Sequence, residues 1–271
     1  MLTSARQYLD SALAHFQEKG YVVLPQSISH HVVDGFWQEV DDQIQNNPEL
    51  TMVLFGEVIK NAQAQGELLS NGNVLRIIDI ENHSPRARDL MLDPAITEFL
   101  TAYYDHPPTA IQTITYKYSS QQGTHSDLHL VSPPGAGGQY DRESLTAAWI
   151  ACEDADETNG ALVIYPGSHR LLKKSLQFFD MDYGRWVEYL DSHCRKMGCP
   201  PTIFHARRGD VLFWHGDLVH AGGPILQPGK TRKSLVVHYA RIPESTPPAV
   251  PGLTKRRHRD GWLFQPAQVS T

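Results

Sequence analysis

Cysteine is scarce: three in 271 residues, at Cys152, Cys194 and Cys199. That odd number fits neither a disulfide framework nor a structural zinc spacing, so a reducing compartment is expected. Long apolar runs are missing too, and no stretch approaches the ~18 residues of a membrane span. The opening segment MLTSARQYLDSALAHFQEKG has no apolar centre and carries Asp10 and Glu18, which argues against a secretory or transit peptide. There is no basic excess: 24 Lys and Arg against 30 Asp and Glu leave a formal net charge of −6, the wrong sign for a general nucleic-acid binder. Repeats and low-complexity tracts are also absent. A cytoplasmic protein with small soluble partners, no nucleic acid and no membrane is expected; the oligomeric state is left open.

The material that is present suits one domain. With 41% hydrophobic residues, a chain of this length can bury a sizeable core. Leu9, Leu13 and Phe16 at helical spacing, stopped by Gly20, predict a helix over residues 4–19. A short strand over Tyr21 to Leu24 follows. Ser29 can cap a second helix with Val33, Phe36, Val40 and Ile44 on one face, and Asp93-Pro94 opens a third. From Ala110 the texture turns to short β-rich runs, at 111–118, 128–131, 145–152, 162–165, 202–206, 210–214, 218–220 and 234–241. Many short strands between Gly and Pro turns predict a sandwich or barrel, with the helices as cladding. Two interruptions, 132–144 and 171–201, are long enough to be lids or binding loops.

Three His-x-Asp triplets occur, at His125/Asp127, His215/Asp217 and His258/Asp260. In a strand, residues two apart point to the same side, so each pair could place an imidazole and a carboxylate on one metal. Two imidazoles and a carboxylate on one face are what non-haem Fe(II) sites use. Only His125/Asp127 is followed at a plausible distance by a second imidazole, His220, and a cation, Arg232. His129 could reach into the same pocket, and His215, Asp217 and His238 could make a competing cluster. The run from Gly223 to Thr231 looks like a phosphate loop but has five residues between its glycines where four are required.

SSQQGTHSD, then Trp149 to Asp154, Asn159 to Leu162, Pro166-Gly167-Ser168-His169 and GDVLFWHGDLVHAGGP stand in an order and spacing that resembles the phytanoyl-CoA dioxygenase family of Fe(II)/2-oxoglutarate oxygenases. The resemblance runs from about Phe16 to Arg241. It implies a mainly β fold with flanking helices, built on a double-stranded β-helix, the jelly-roll or cupin-like core. The expected layout is a single domain over 1–271: helical cladding over 1–109, core over about 110–242 and a C-terminal tail over 243–271.

The resemblance also implies a site. His125, Asp127 and His220 would ligate Fe(II), and Arg232 would hold the free carboxylate of 2-oxoglutarate, with Lys230 or Lys233 as competitors because the spacing to His220 is one residue long. Thr113, Lys117 and Trp149 match positions near the co-substrate. With O2, such an enzyme oxidises a substrate C–H bond and releases succinate and CO2. Related halogenases lack the carboxylate; Asp127 is present, so hydroxylation, desaturation or ring closure is expected. The substrate would be a small molecule: a specialised metabolite, an acyl thioester or a phosphonate. Phe178, Phe179, Tyr183, Arg185 and Trp186, with segments 50–76 and 132–144, are expected to wall the pocket. A cupin-like metalloenzyme without 2-oxoglutarate, and a non-catalytic jelly-roll binding protein, are the alternatives.

Overall fold

A computed structural model describes residues 2–54, 57–61, 76–131, 144–246 and 252–266. The N-terminal part runs α1 (Leu2–Lys19), β1 (Tyr21–Leu24), α2 (His30–Asn46), then three short strands, β2 (Thr51–Leu54), β3 (Glu57–Lys60) and β4 (Arg76–Ile78). Two helices follow, α3 (Pro85–Met91) and α4 (Pro94–Tyr104). The helix starts are encoded locally. Ser29, Ser84 and Asp93 each accept a hydrogen bond from a backbone N–H of the first turn, and Pro85 and Pro94 stand where a missing N–H costs nothing. Gly20 ends α1 with φ 77°, a left-handed conformation that favours glycine.

The remaining elements are β5 (Thr109–Tyr116), β6 (Thr146–Ala151), β7 (Leu162–Ile164), α5 (Tyr183–Lys196), β8 (Thr202–Phe204), β9 (Val211–His215), β10 (His220–Gly222), β11 (Ser234–Ala240), β12 (Leu253–His258) and β13 (Gly261–Pro266). The large sheet has the order β1-β9-β6-β11-β5-β4-β2-β3, and the small one β10-β7-β8. Every pairing is antiparallel except β13 against β5. The two sheets face each other as a jelly roll.

The large sheet is buried on both sides, and the period of two separates them. On β6, β9 and β11, Ala148, Ile150, Val211, Phe213, Leu235, Val237 and Tyr239 join the helices in one core. Their neighbours Trp149, Leu212, Trp214 and Val236 pack inward with Leu162 and Ile164 of the small sheet. A one-residue slip would exchange the two sets, so burial on both faces pins the register. Each fully buried large side chain contributes on the order of 1.5–3 kcal/mol.

Three expectations need correction. The stretch 128–131 is not a strand: Asp127–His129 form a single 3-10 turn, and His125 makes only an isolated bridge to His220. The N-terminal third is more than cladding, since β2, β3 and β4 extend the large sheet beyond β5. The stretch from 243 is more than a tail. It contains the β12/β13 hairpin, whose Trp262 and Leu263 lie beside Thr109 and Ala110. Its basic residues are partly used: Lys255 Nζ donates to the Ile242 and Pro243 carbonyls, and Arg259 pairs with Asp89.

Candidate metal centre and its cavity

His125 and His220 exchange two backbone hydrogen bonds, each of 2.9 Å, which sets their imidazoles side by side with centroids 4.3 Å apart. In both rings Nδ1 faces a backbone carbonyl, Gly123 at 2.8 Å and Leu218 at 3.0 Å. A carbonyl only accepts, so the proton sits on Nδ1 and Nε2 presents its lone pair. Asp127 enters from the 3-10 turn, with Oδ1 3.8 Å from His125 Nε2 and 3.7 Å from His220 Nε2. Its other oxygen, Oδ2, accepts from Trp214 Nε1–H at 2.7 Å and lies 3.2 Å from His238 Nε2. One carboxylate oxygen is thereby held and the other left facing the two imidazoles. That is the outer support which orients metal-binding carboxylates.

All three groups are buried. Burial, then the neighbouring His220, pulls His125 down to about 3, so its imidazole is neutral at ordinary pH. For Asp127 burial alone would push the other way, but His220, His238 and His125 together outweigh it and hold the carboxylate ionised. Two imidazole nitrogens and one anionic oxygen on one side suit a divalent cation such as Fe(II). Among the described residues, this is the one cluster of three such ligands.

The cluster opens into a cavity of about 200 Å³. Arg232 stands in it only 1% exposed; its Nη1 donates to the Gly160 carbonyl at 3.3 Å, while Nε has no partner. Its guanidinium lies 5.6 Å from the Trp149 ring and 6.0 Å from the Tyr116 ring. Burial lowers Arg232 to about 10, which still leaves it charged at pH 7. Trp149 also lines the cavity, and its Nε1–H is buried without an acceptor. A buried cation and an orphaned indole N–H together fit an anionic group with several oxygens.

Of the seven site residues expected from the sequence, five meet here: His125, Asp127, His220, Arg232 and Trp149. Thr113 and Lys117 do not. Gln112 and Ile114 of β5 are opposite His238 and Val236 in register and line the cavity, so the odd-numbered residues face away. Thr113 donates to Glu81 Oε2 and accepts from Ile80 N–H on the outer side. The competing anchors are placed elsewhere as well. Lys233 lies over the Trp37 ring on the helical side, and Lys230 donates to Thr158.

The rival clusters do not form. Asp217 is paired with Lys173 and His258 with Asp89. His238 does reach the pocket, but at Asp127; the side chain of His129 lies outside the described residues. The insert supplies less wall than expected. Trp186 is buried in its own small core, Phe178 is 61% exposed, and neither Phe179 nor Arg185 lines the cavity. Tyr183 alone approaches, through Gln122 and the Gly123 carbonyl. Most of the expected segments 50–76 and 132–144 falls outside the described residues.

The sequence reading missed Trp214, Gln112, Tyr116, Gln122 and Arg76. For Trp214 a signal existed: it lies six residues before His220 in an apolar run, at a position whose parity opposes Phe213. No helix among the described residues is long and apolar enough to cross a membrane.

A jelly roll that carries two imidazoles and a carboxylate on one inner face, with a buried guanidinium beside them, defines the class: a double-stranded β-helix protein with a mononuclear metal site. Within that class, residues 16–234 match the family described as phytanoyl-CoA dioxygenase (PhyH), and the chain belongs to it. The peroxisomal phytanoyl-CoA dioxygenase of Rattus norvegicus is 24% identical over 234 residues, 83% of this chain and 66% of that protein. Phytanoyl-CoA dioxygenase 1 of Oryza sativa subsp. japonica is 27% identical over 158 residues, 54% of this chain and 53% of that protein. The chain thus spans between about half and two thirds of the length of these relatives. The epimerase SnoN, solved with Fe3+, alpha ketoglutarate and nogalamycin RO, shares the fold with a TM-score of 0.70 over 96% of this chain and 99% of that one, at 17% identity.

Proposed function

We propose that this chain is a non-haem Fe(II)- and 2-oxoglutarate-dependent dioxygenase that oxidises a C–H bond of a small molecule. The observation that carries the reading is the pairing of His125, Asp127 and His220 with a buried Arg232 that, among the described residues, has no carboxylate in an ion pair with it, in one cavity. A metal site alone would serve a cupin-like enzyme equally well. The guanidinium is what asks for a dicarboxylic co-substrate.

His125 Nε2, His220 Nε2 and Asp127 Oδ1 would hold the iron, which with 2-oxoglutarate and O2 supplies the oxidising power. Trp214 Nε1–H holds Asp127 Oδ2, which would leave Oδ1 to bind the metal. Arg232 binds and orients the far carboxylate of the co-substrate, and Trp149 Nε1–H is placed to donate to it. The apolar walls, Ile114, Leu162 and Val236, keep stray water from the reacting bond. The substrate would be a small molecule of one of three kinds: a specialised metabolite, an acyl thioester or a phosphonate. A cytoplasmic setting agrees with the three free cysteines.

The test is spectroscopic. Under anaerobic conditions, Fe(II) and 2-oxoglutarate should give the parent protein a weak visible charge-transfer band, and Arg232→Ala should need far more 2-oxoglutarate to develop it. Bound iron with no band at any 2-oxoglutarate concentration would move the chain to the cupin-like reading.

A further inference from the structure

The cavity contains a second guanidinium that the proposed function leaves unused. Arg76 opens β4, is half-buried and lines the same space as the metal ligands. Its guanidinium lies 5.9 Å from the Tyr116 ring, and that of Arg232 lies 6.0 Å from the same ring, so two cations share one aromatic. Arg76 Nη2 donates to Gln122 Oε1 at 3.1 Å, and Gln122 Nε2 in turn donates to the Tyr183 hydroxyl at 3.1 Å. These bonds fix the amide and, through it, the guanidinium. Among the described residues, no carboxylate pairs with Arg76 and Asp127 is the one acidic side chain in the cavity wall.

Charge balance, resting on the function proposed above, isolates this residue. A divalent metal, Asp127, Arg232 and a doubly charged 2-oxoglutarate sum to zero. Among the described residues, Arg76 then remains as a positive charge without a carboxylate partner, facing the space where a substrate must sit, beside the neutral groups of Ser120 and Gln122. A cation in so restricted a space gains most from an oxyanion that a planar fork can grip. We propose that Arg76 is a specificity-determining residue, and that the substrate carries an oxyanion, a carboxylate or a phosphonate or phosphate, which it binds. A neutral hydrocarbon or sugar would leave this charge unmatched.

The experiment uses the full chain loaded anaerobically with Fe(II) and saturating 2-oxoglutarate. Calorimetric titration compares methylphosphonate, propionate and the neutral propionamide on the parent, Arg76→Gln and Arg76→Lys. An anion should bind the parent at least about tenfold more tightly than propionamide. Arg76→Gln should lose that preference, while Arg76→Lys keeps part of it. Preference for methylphosphonate points to a phosphorus oxyanion, and preference for propionate to a carboxylate; either supports the proposal. The charge-transfer band reports on the other partner. In Arg76→Gln it should form with the 2-oxoglutarate affinity unchanged within about twofold, which also certifies folding. Equal binding of anions and propionamide to the parent, or a preference that survives Arg76→Gln, overturns the proposal. So does a tenfold loss of 2-oxoglutarate affinity in Arg76→Gln, since that assigns Arg76 to the co-substrate. A parent that never forms the band overturns the oxygenase reading itself, and this inference with it.

Discussion

The two faces of the large sheet each bury a carboxyl group, and they treat it in opposite ways. On the inner face, Asp127 is surrounded by three imidazoles and an indole N–H and stays ionised. On the outer face, Glu81 is 3% exposed, donated to by the Thr113 hydroxyl, and pushed up to about 8 by burial first and by neighbouring Asp79 second. Asp79 is itself raised to about 6 by burial. Burial acts in the same direction at both sites. What differs is the company: nitrogen groups that favour the anion inside, a second carboxyl that opposes it outside. One face is prepared for a cation and the other is a structural joint.

Substitutions can break this contrast, and the largest effect falls on the inner side. Asp127→Ala removes the anionic ligand, and equilibrium dialysis of Fe(II) should show affinity down more than about a hundredfold, beyond the losses typical of outer-shell changes. Arg232→Gln removes a buried charge but not the metal. The Fe(II) affinity should hold, while the 2-oxoglutarate concentration for half-formation of the charge-transfer band rises about 10- to 100-fold, as expected for a lost charge-assisted hydrogen bond. Trp214→Phe frees Asp127 Oδ2 from its donor, and Fe(II) affinity should fall about tenfold.

On the outer side the expected change is in stability. Glu81 holds its proton more tightly folded, at about 8, than at its ordinary 4.5. Its contribution is therefore complete below about 4.5, drains away as the pH rises and is gone above about 8. Glu81→Gln should flatten that decline, visible as a smaller drop in melting temperature between pH 5 and pH 8, by at least about 2 °C. A last substitution, silent at the inner face, sharpens the comparison. Thr113→Val should cost about 1–3 kcal/mol of stability, because Glu81 and the Ile80 N–H lose a partner, yet leave 2-oxoglutarate affinity unchanged. A shift in that affinity would mean that β5 presents its other face to the cavity.

Much of this was legible in the chain. The helices capped by Ser29 and Asp93 were, because a Ser or Asp before an amphipathic run acts within one turn, whereas the short Ser84-capped helix was missed. The meeting of His125, Asp127, His220 and Arg232 in one cavity was, because they keep an order that few other functions require. Thr113 and Lys117 failed for a specific reason. Alternation tells which residues of β5 share a face, but both faces of this sheet are buried, so nothing in composition says which one looks inward. The 3-10 turn at Asp127 was hidden similarly, since a short apolar run does not distinguish a strand from a turn packed under one. The C-terminal hairpin lacked a clear signal because its strands LTKRRH and GWLFQP carry a mixed polar pattern.

The sequence by itself determined the main capped helices, the core strands from β5 to β11 in outline and the absence of a cysteine framework, because these depend on groups a few residues apart or on composition. Only the tertiary structure decided that Trp214 and His238 close on one oxygen of Asp127, that Arg232 rather than Lys233 enters the cavity, and that Arg76 stands across Tyr116 from it. Those facts follow from strand register and the packing of two sheets. They join residues up to about 150 positions apart, and no local preference encodes them.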